Sequence, residues 1–193
     1  MIHFVSGKLE SKKVNFVVVE AHGIGYKIFV PTSTIKKLPN LGEEIKLLTH
    51  FHVREDAMSL YGFLEEKELK LFEALVSISG VGPKTALGIL SLAPVDNLVA
   101  AIARGESDLL QRSAGIGRKT AARVVMELKD KVFVEIGTGE ETVRLMESDE
   151  DVYEALLSLG YSAKQAKAAM DKIDPKLKGV DERLREALQK LRG

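Results

Sequence analysis

A glycine-rich segment of seven residues occurs twice in this chain, and the second copy begins 35 residues after the first. The first copy, residues 80–86, reads Gly-Val-Gly-Pro-Lys-Thr-Ala, and the second, residues 115–121, reads Gly-Ile-Gly-Arg-Lys-Thr-Ala. Glycines leave backbone N–H groups unobstructed, and successive N–H groups in a tight turn bind anions. A helix that begins directly after the turn adds its dipole and its free N–H groups, and the lysine adds a full charge. The pattern therefore predicts phosphate binding.

The predicted phosphate-binding residues come from both copies and from an arginine about one turn into the second helix. They are Gly80, Val81, Gly82, Lys84, Thr85, Gly115, Ile116, Gly117, Arg118, Lys119, Thr120 and Arg123. The apolar residue between the glycines is expected to pack each turn against its own helices. A lone copy is equally well explained as a corner between two helices with glycine caps. Two matching copies favour phosphate binding.

The order helix, Gly-apolar-Gly, one residue, Lys, helix is that of the helix-hairpin-helix motif found in many DNA-repair proteins. Such hairpins contact the sugar-phosphate backbone and not the bases, which predicts binding that is sensitive to salt and largely independent of DNA sequence. A nucleotide-binding P-loop is excluded, because that motif has Gly directly before its Lys and follows a strand. Here Pro83 precedes Lys84, Arg118 precedes Lys119, and the surrounding pattern is helical.

Residues 1–63 have the composition of a small β-barrel. Runs of β-branched and aromatic residues predict strands, and glycines and prolines separate them. The predicted strands are Phe16–Val19, Tyr26–Val30, Glu44–Val53 and Ser59–Phe63. Five or six strands of this length, joined by glycine-rich turns, predict a barrel similar to the OB fold. A polar tip, residues 54–57, joins the last two strands.

From about residue 65 the apolar spacing becomes helical, and it stays so to about residue 133. Residues 137–149 have few large apolar side chains and no clear period, so we predict a flexible linker there. Three short helices follow, near 150–159, from a Ser162–Gln165 capping box to Asp174-Pro175, and near 181–192. The turn at residues 159–161 resembles that of ubiquitin-associated (UBA) domains.

The predicted fold class is therefore α+β and multidomain. The domains are an OB-like β-barrel over residues 1–63, a tandem helix-hairpin-helix domain over 64–136, a flexible linker over 137–149 and a UBA-like three-helix domain over 150–193.

The composition excludes several classes of protein. The chain has 28 basic and 28 acidic residues, so a uniformly basic surface is excluded and any DNA-binding face must arise from local placement of charge. It has no Cys, which excludes disulfides and thiolate chemistry. The amino terminus lacks the features of a signal peptide, and no apolar run approaches the ~20 residues of a membrane span. We expect a soluble, cytoplasmic protein without membrane association.

Two groups of residues have side chains that bind metals in other proteins. His50 and His52 are spaced to share one strand face, but no zinc motif surrounds them, so surface or interface histidines are the better interpretation. The acidic run at residues 149–151 is better explained as the negative first turn of a helix. We therefore predict no metal site.

Several longer segments match one protein family along almost the whole chain. They are Met1–Gly7, Gly23–Tyr26, Thr49–Phe51, Val53–Ala57, Leu60–Phe63, the two hairpins, Met126–Asp130 and Leu156–Tyr161. Together they resemble the RuvA family of Holliday-junction-binding proteins. The chain departs from that family at residues 3–6, His-Phe-Val-Ser, where relatives often have arginines, and the linker and last helices align poorly.

The resemblance implies a non-catalytic subunit of an ATP-driven branch-migration complex, acting in DNA recombination, DNA repair and the SOS response to DNA damage. It implies a homotetramer that holds a four-way junction open and a hexameric RuvB-type ATPase as partner. ATP is used by that motor, so no cofactor is expected in this chain. A second tetramer stacked on the first and a RuvC-type resolvase are further implied partners, and the sequence leaves both open.

The last domain is implied to dock on the motor. Its candidate contacts are Leu156, Leu159 and Tyr161, although a place in the hydrophobic core explains each of them as well. The resemblance also assigns Glu55 and Asp56 to an acidic pin at the centre of the junction, where carboxylates repel phosphates and guide separated strands. From the residues alone, a solvated polar hairpin tip is the better interpretation of this pair.

Two other functions compete with this interpretation. A DNA glycosylase, lyase or nuclease containing such hairpins needs a catalytic Asp shortly after the hairpin, and Asp96 and Asp130 are the candidates. A single-strand binder built on an OB fold needs stacking aromatic side chains. Aromatic residues make up only 6% of this chain and Trp is absent, which disfavours the single-strand binder.

Overall fold

The computed structural model describes residues 2–129, 140–174, 177 and 179–192. The chain forms two compact units, Met1–Thr138 and Gly139–Gly193. The first unit contains both the strands and the hairpin helices, and the second contains the remaining helices.

A closed five-stranded barrel forms the amino-terminal part of the first unit. Its strands are β1 (Phe4–Lys12), β2 (Phe16–Ala21), β3 (Ile24–Phe29), β4 (Glu44–Val53) and β5 (Met58–Phe63). The order around the barrel is β1-β2-β3-β5-β4, and β4 pairs back to β1. The β3–β5 pair is parallel and the other four pairs are antiparallel. This confirms the predicted OB-like barrel, and it adds β1, which the sequence analysis did not assign.

Alternation of apolar residues explains the barrel core. Leu9, Val17, Val19, Ile28 and Leu47 are fully buried, because successive side chains of a strand point to opposite faces. On β1 the apolar alternation is interrupted at Gly7. A Cβ atom at this position would overlap the carbonyl oxygen of Glu20 on β2, so the close approach of β1 and β2 requires glycine there.

Six helices of the first unit are described. They are α1 (Thr32–Ile35), α2 (Glu66–Val76), α3 (Pro83–Leu90), α4 (Val95–Arg104), α5 (Ser107–Gln111) and α6 (Arg118–Leu128). Helix α2 packs against β4 and β5, and the Phe72 ring lies 5.2 Å from the Tyr61 ring and 4.9 Å from the Phe63 ring. The barrel and the hairpin helices therefore share a core, which fixes the hairpins relative to the barrel.

The second unit is a bundle of three helices. They are α7 (Glu140–Ser158), α8 (Ala163–Met170) and α9 (Val180–Arg192). Val152, Leu156 and Ala187 are fully buried between them. The predicted capping box is confirmed, with Ser162 and Gln165 each bonding to the backbone of the other. Among the helices described, none is by itself long and apolar enough to cross a bilayer.

Two boundaries in this part of the chain were predicted wrongly. Residues 140–149, assigned to the linker 137–149, belong to α7, while residues 137–139 lie outside the described residues. The segment contains no Gly or Pro and is rich in Glu, Leu, Met and Arg, which are good helix formers even without an apolar period. Helix α8 ends at Met170 and not at Asp174.

The acidic run at residues 149–151 also has a different place from the one predicted. Asp149 lies inside α7 and not in a first turn, and its carboxylate accepts hydrogen bonds from the guanidinium of Arg183 on α9. Arg183 is buried and also donates to the carbonyl oxygen of Leu177, 2.7 Å away. A buried charge is stable only when it is paired in this way, so the bond fixes α7 against α9.

Candidate nucleic-acid interface

The first glycine hairpin lies between α2 and α3. Gly80 has a φ of +91°, which is the left-handed conformation that glycine adopts without strain. Val81 is buried beneath the turn, and its N–H donates to the carbonyl of Ile78 at 3.0 Å. Gly82 is the N-cap of α3 and has no side chain to cap the helix. The amino end of α3 is therefore left open to an outside acceptor.

The second hairpin, between α5 and α6, repeats this geometry. Gly115 has a φ of +87°, Ile116 is buried, and Gly117 is the N-cap of α6. The φ and ψ angles of Gly117, −89° and 168°, nearly equal those of Gly82, −87° and 167°. Neither α3 nor α6 has an acidic residue in its first turn. Both helix dipoles thus present uncompensated positive ends, which favour anions.

The cations of the two hairpins project from these helix starts. Lys84, Arg118 and Lys119 are exposed, and within the part of the chain that the structure describes they pair with no carboxylate. Arg123 is also exposed, but one of its guanidinium N–H groups donates to the carbonyl oxygen of Ser79, 3.3 Å away in the first hairpin. Arg123 therefore also links the two hairpins, which the sequence analysis did not anticipate.

The two threonines pack each hairpin against the other. The Oγ1 atom of Thr85 lies 3.4 Å from the Cβ position of Gly115, and the Cγ2 atom of Thr120 lies 4.0 Å from the Cβ position of Gly80. Both threonines are half-buried. The contact is reciprocal, because the helix of each copy touches the turn of the other. It holds the two glycine turns side by side.

The polar tip between β4 and β5 is a tight turn. The N–H of Arg54 donates to the carbonyl of Ala57 at 2.8 Å, and Glu55 and Asp56 lie exposed between them. The sequence predicted this hairpin at its observed position. Its carboxylates project into solvent and are not paired with described residues.

A groove of about 370 Å³ separates this acidic tip from the first hairpin. Its lining residues are His52, Arg54, Asp56, Ala57, Ser59, Tyr61, Gly82, Pro83 and Lys84. The sequence analysis did not assign His52 and Arg54 to the site. Their spacing of two, with His52 near the end of β4 and Arg54 just beyond it, was the available signal.

The structure gives little support to Asp96 as a catalytic residue of a DNA glycosylase, lyase or nuclease. Asp96 lies in the first turn of α4, and its carboxylate accepts a hydrogen bond from the Nζ atom of Lys67 at 2.7 Å. This bond raises the pKa of Lys67, so the pair is a stable ion pair and not a free carboxylate. Asp130 lies outside the described residues. Among the described residues, no group of three or more His, Asp or Glu side chains is placed to hold a metal.

The aromatic side chains nearest the groove are used for packing. Tyr61 is buried and stacks between Phe29 and Phe72, with ring centroids 5.7 Å and 5.2 Å away. Stacking on unpaired bases requires exposed ring faces. This arrangement gives no support to the single-strand-binding alternative.

Comparisons with known proteins cover almost the entire chain. Residues 1–62 match the family model of the RuvA N terminal domain, residues 72–130 that of the SAM-like helix-hairpin-helix tandem, and residues 149–192 that of the RuvA C-terminal domain. A protein of Caldanaerobacter subterraneus subsp. tengcongensis named Holliday junction branch migration complex subunit RuvA is 44% identical over 191 residues, 99% of either chain. This chain belongs to the RuvA family. A protein of the same name from Albidiferax ferrireducens is 46% identical over 191 residues, again 99% of either chain.

The RuvA C-terminal domain contains the three candidate contacts for a motor. Leu156 is fully buried, so it belongs to the core of the bundle and is not available to a partner. Leu159 is 59% exposed, and Tyr161 is half-buried against the bundle core. Of the three candidates, Leu159 is the one whose side chain is open to solvent.

Proposed function

We propose that this chain binds Holliday junctions and serves as the RuvA subunit of a branch-migration complex, without catalytic activity of its own. The observation that carries the proposal is the pair of matching hairpins, each with an open helix end and an exposed lysine. Backbone N–H groups at a helix start and a lysine beside them suit a backbone phosphate at each hairpin. The full-length similarity to proteins named Holliday junction branch migration complex subunit RuvA supports the proposal.

The partners follow from the same proposal. The chain assembles as a homotetramer on a four-way junction, and a RuvB-type hexameric ATPase supplies the ATP-driven movement. Four large apolar side chains on the strands of the barrel are at least half exposed, and their burial between subunits would favour self-association. They are Phe4, Ile24, Val53 and Met58. The DNA substrate and the absence of cysteine agree with a place in the cytoplasm.

The decisive experiment compares a four-way junction, a linear duplex and a single strand in gel-shift titrations, with native mass measured on the same samples. We expect the junction to bind at least tenfold more tightly than the duplex, with a protein mass of four chains or of eight. Equal affinity for junction and duplex, or binding as a monomer, would contradict the proposal.

The acidic tip gives a separate prediction. The variant Glu55→Gln/Asp56→Asn keeps the size of both side chains and removes two negative charges from each chain. Because like charges repel, we expect this variant to bind junction and duplex DNA more tightly than the unaltered chain at low salt, and to change the rate of branch migration. Gel shifts at two salt concentrations measure the first effect, since screening diminishes it at high salt.

A matched control is Glu10→Gln/Glu44→Gln, which removes the same charge from the barrel strands β1 and β4. The role proposed for the tip is wrong if its neutral variant binds no more tightly than this control and migrates junctions at the unaltered rate.

A further inference from the structure

The groove between the acidic tip and the first hairpin contains a side-chain hydrogen bond that is not part of the helix-hairpin-helix motif. The Nε atom of Arg54 donates to the Nε2 atom of His52, 3.2 Å away. His52 lies on β4 and Arg54 directly follows the last residue of that strand, and both line the groove together with Lys84, which comes from the start of α3. This bond therefore determines where the guanidinium of Arg54 lies relative to a cation of the first hairpin.

The His52 ring is well placed to act as an acceptor. It packs edge-on against Tyr61 at 6.3 Å between centroids and lies beside His50 at 6.1 Å. Burial lowers the pKa of His52, and the adjacent Arg54 and His50 add to this effect. These effects favour the neutral imidazole, whose Nε2 lone pair accepts the hydrogen bond from Arg54.

Freely rotating arginine side chains lose conformational entropy when they bind a phosphate. A side chain already held in place loses less, so its contact with the phosphate is stronger. An arginine bonded through Nε keeps both terminal NH₂ groups available, and these can bind a phosphate in a bidentate manner. Arg54 is exposed, and its Nε bond to His52 leaves it in this state.

The charges around the groove fit a phosphate as its occupant. Arg54, Lys84 and the amino end of α3 line it, and Asp56 contributes a carboxylate to the same lining. A DNA arm bound by Gly82 and Lys84 and repelled at the tip would carry its backbone along this groove. Within it, the positive groups outnumber the negative one.

We propose that His52 is a positioning residue, which holds Arg54 so that its guanidinium binds a backbone phosphate of the DNA arm that Lys84 also contacts. The inference rests on the proposed DNA binding, and it adds a third phosphate contact beyond those of the two glycine hairpins. His52 itself acts through Arg54 and not through direct contact with DNA.

A double-mutant cycle in the full-length protein tests this role. We expect His52→Val to weaken junction binding about three- to fivefold and Arg54→Ala about tenfold, in keeping with partial and complete loss of a charged hydrogen bond. In the Arg54→Ala background, His52→Val should change affinity by less than about 1.5-fold. Gln at position 52 offers a carbonyl acceptor to the same Nε–H, so His52→Gln should restore affinity to within about twofold of the unaltered chain.

The control is His3→Val, which removes an exposed imidazole from the same barrel away from the groove lining. It should leave affinity unchanged. Equal losses from His52→Val in both backgrounds, or equal affinities for the Val and Gln variants, would overturn the positioning role. Thermal unfolding identifies any variant that is merely destabilised. If His52→Val is destabilised, the positioning role is tested by whether His52→Gln binds the junction within about twofold of the unaltered chain.

Running the cycle on both junction and duplex DNA separates the two proposals. The proposed function fails if the unaltered chain shows no preference for the junction. The role of His52 fails if the coupling with Arg54 is absent on both DNAs, whichever of them binds more tightly.

Discussion

Lys84→Ala/Lys119→Ala is expected to bind four-way junction DNA about a hundredfold more weakly than the unaltered chain at low salt. Each lysine is exposed, unpaired among the described residues and placed at an open helix end. Loss of one charge-assisted contact costs about 1.4 kcal/mol, or tenfold in affinity, and we expect the two losses to add because each lysine is proposed to contact a different phosphate.

The salt dependence provides the sharper measurement. Removal of two phosphate contacts should reduce the magnitude of the negative slope of log K against log salt by about two for each chain engaged. The loss of affinity should be the same for DNAs of different sequence. The control Lys36→Ala/Lys37→Ala removes two exposed lysines outside the hairpins. If that control loses as much affinity, or if the loss depends on DNA sequence, the hairpins are not the backbone-binding site.

Removal of the second unit should abolish stimulation of a RuvB-type ATPase and leave junction binding within about threefold. The truncation is best placed after Thr138, where the two compact units divide, because a cut at residue 149 would divide α7. The first unit contains both hairpins, the acidic tip and its own core, so its DNA-binding surface should persist. ATP hydrolysis by the motor on junction DNA measures the first effect, and gel shifts measure the second.

A point variant tests whether Leu159 is the motor contact within the second unit. Leu159→Asp changes an exposed leucine and should reduce motor stimulation at least tenfold without unfolding the bundle. Leu157→Asp, two residues earlier at a position that is 40% exposed, serves as the comparison. A truncated chain that no longer binds junctions would mean that the roles of the two units are assigned wrongly.

The parts of the fold that could be predicted depend on local patterns. The β4 strand was predicted at its observed bounds because apolar and polar residues alternate over Glu44–Leu47 and again over His50–Val53. The hairpins were predicted because two glycines and a lysine recur at fixed spacing. Helix α7 was missed over residues 140–149 because the prediction relied on apolar period, whereas helix propensity alone favours the observed structure.

The contacts that could not be predicted join residues distant in sequence. Arg123 and Ser79 are 44 positions apart, and nothing in either segment indicates the other. The hydrogen bond from Arg54 to His52 depends on the side-chain rotamers of both residues, which the sequence does not specify. Leu156 had two interpretations, core or partner surface, and only the packing of three helices distinguishes them.

Apart from the bond between Arg123 and Ser79, exchange of the two hairpins approximately preserves the contact between them, since Thr85 lies against Gly115 as Thr120 lies against Gly80. This is the property of a local dyad. B-form DNA has dyads of its own, perpendicular to the helix axis, which interchange its antiparallel strands. A clamp with matching symmetry holds either strand with either hairpin and does not distinguish 5′ from 3′. An arm could then be drawn through such a clamp in both directions with the same resistance, and the direction of travel would be set by where the motor is loaded.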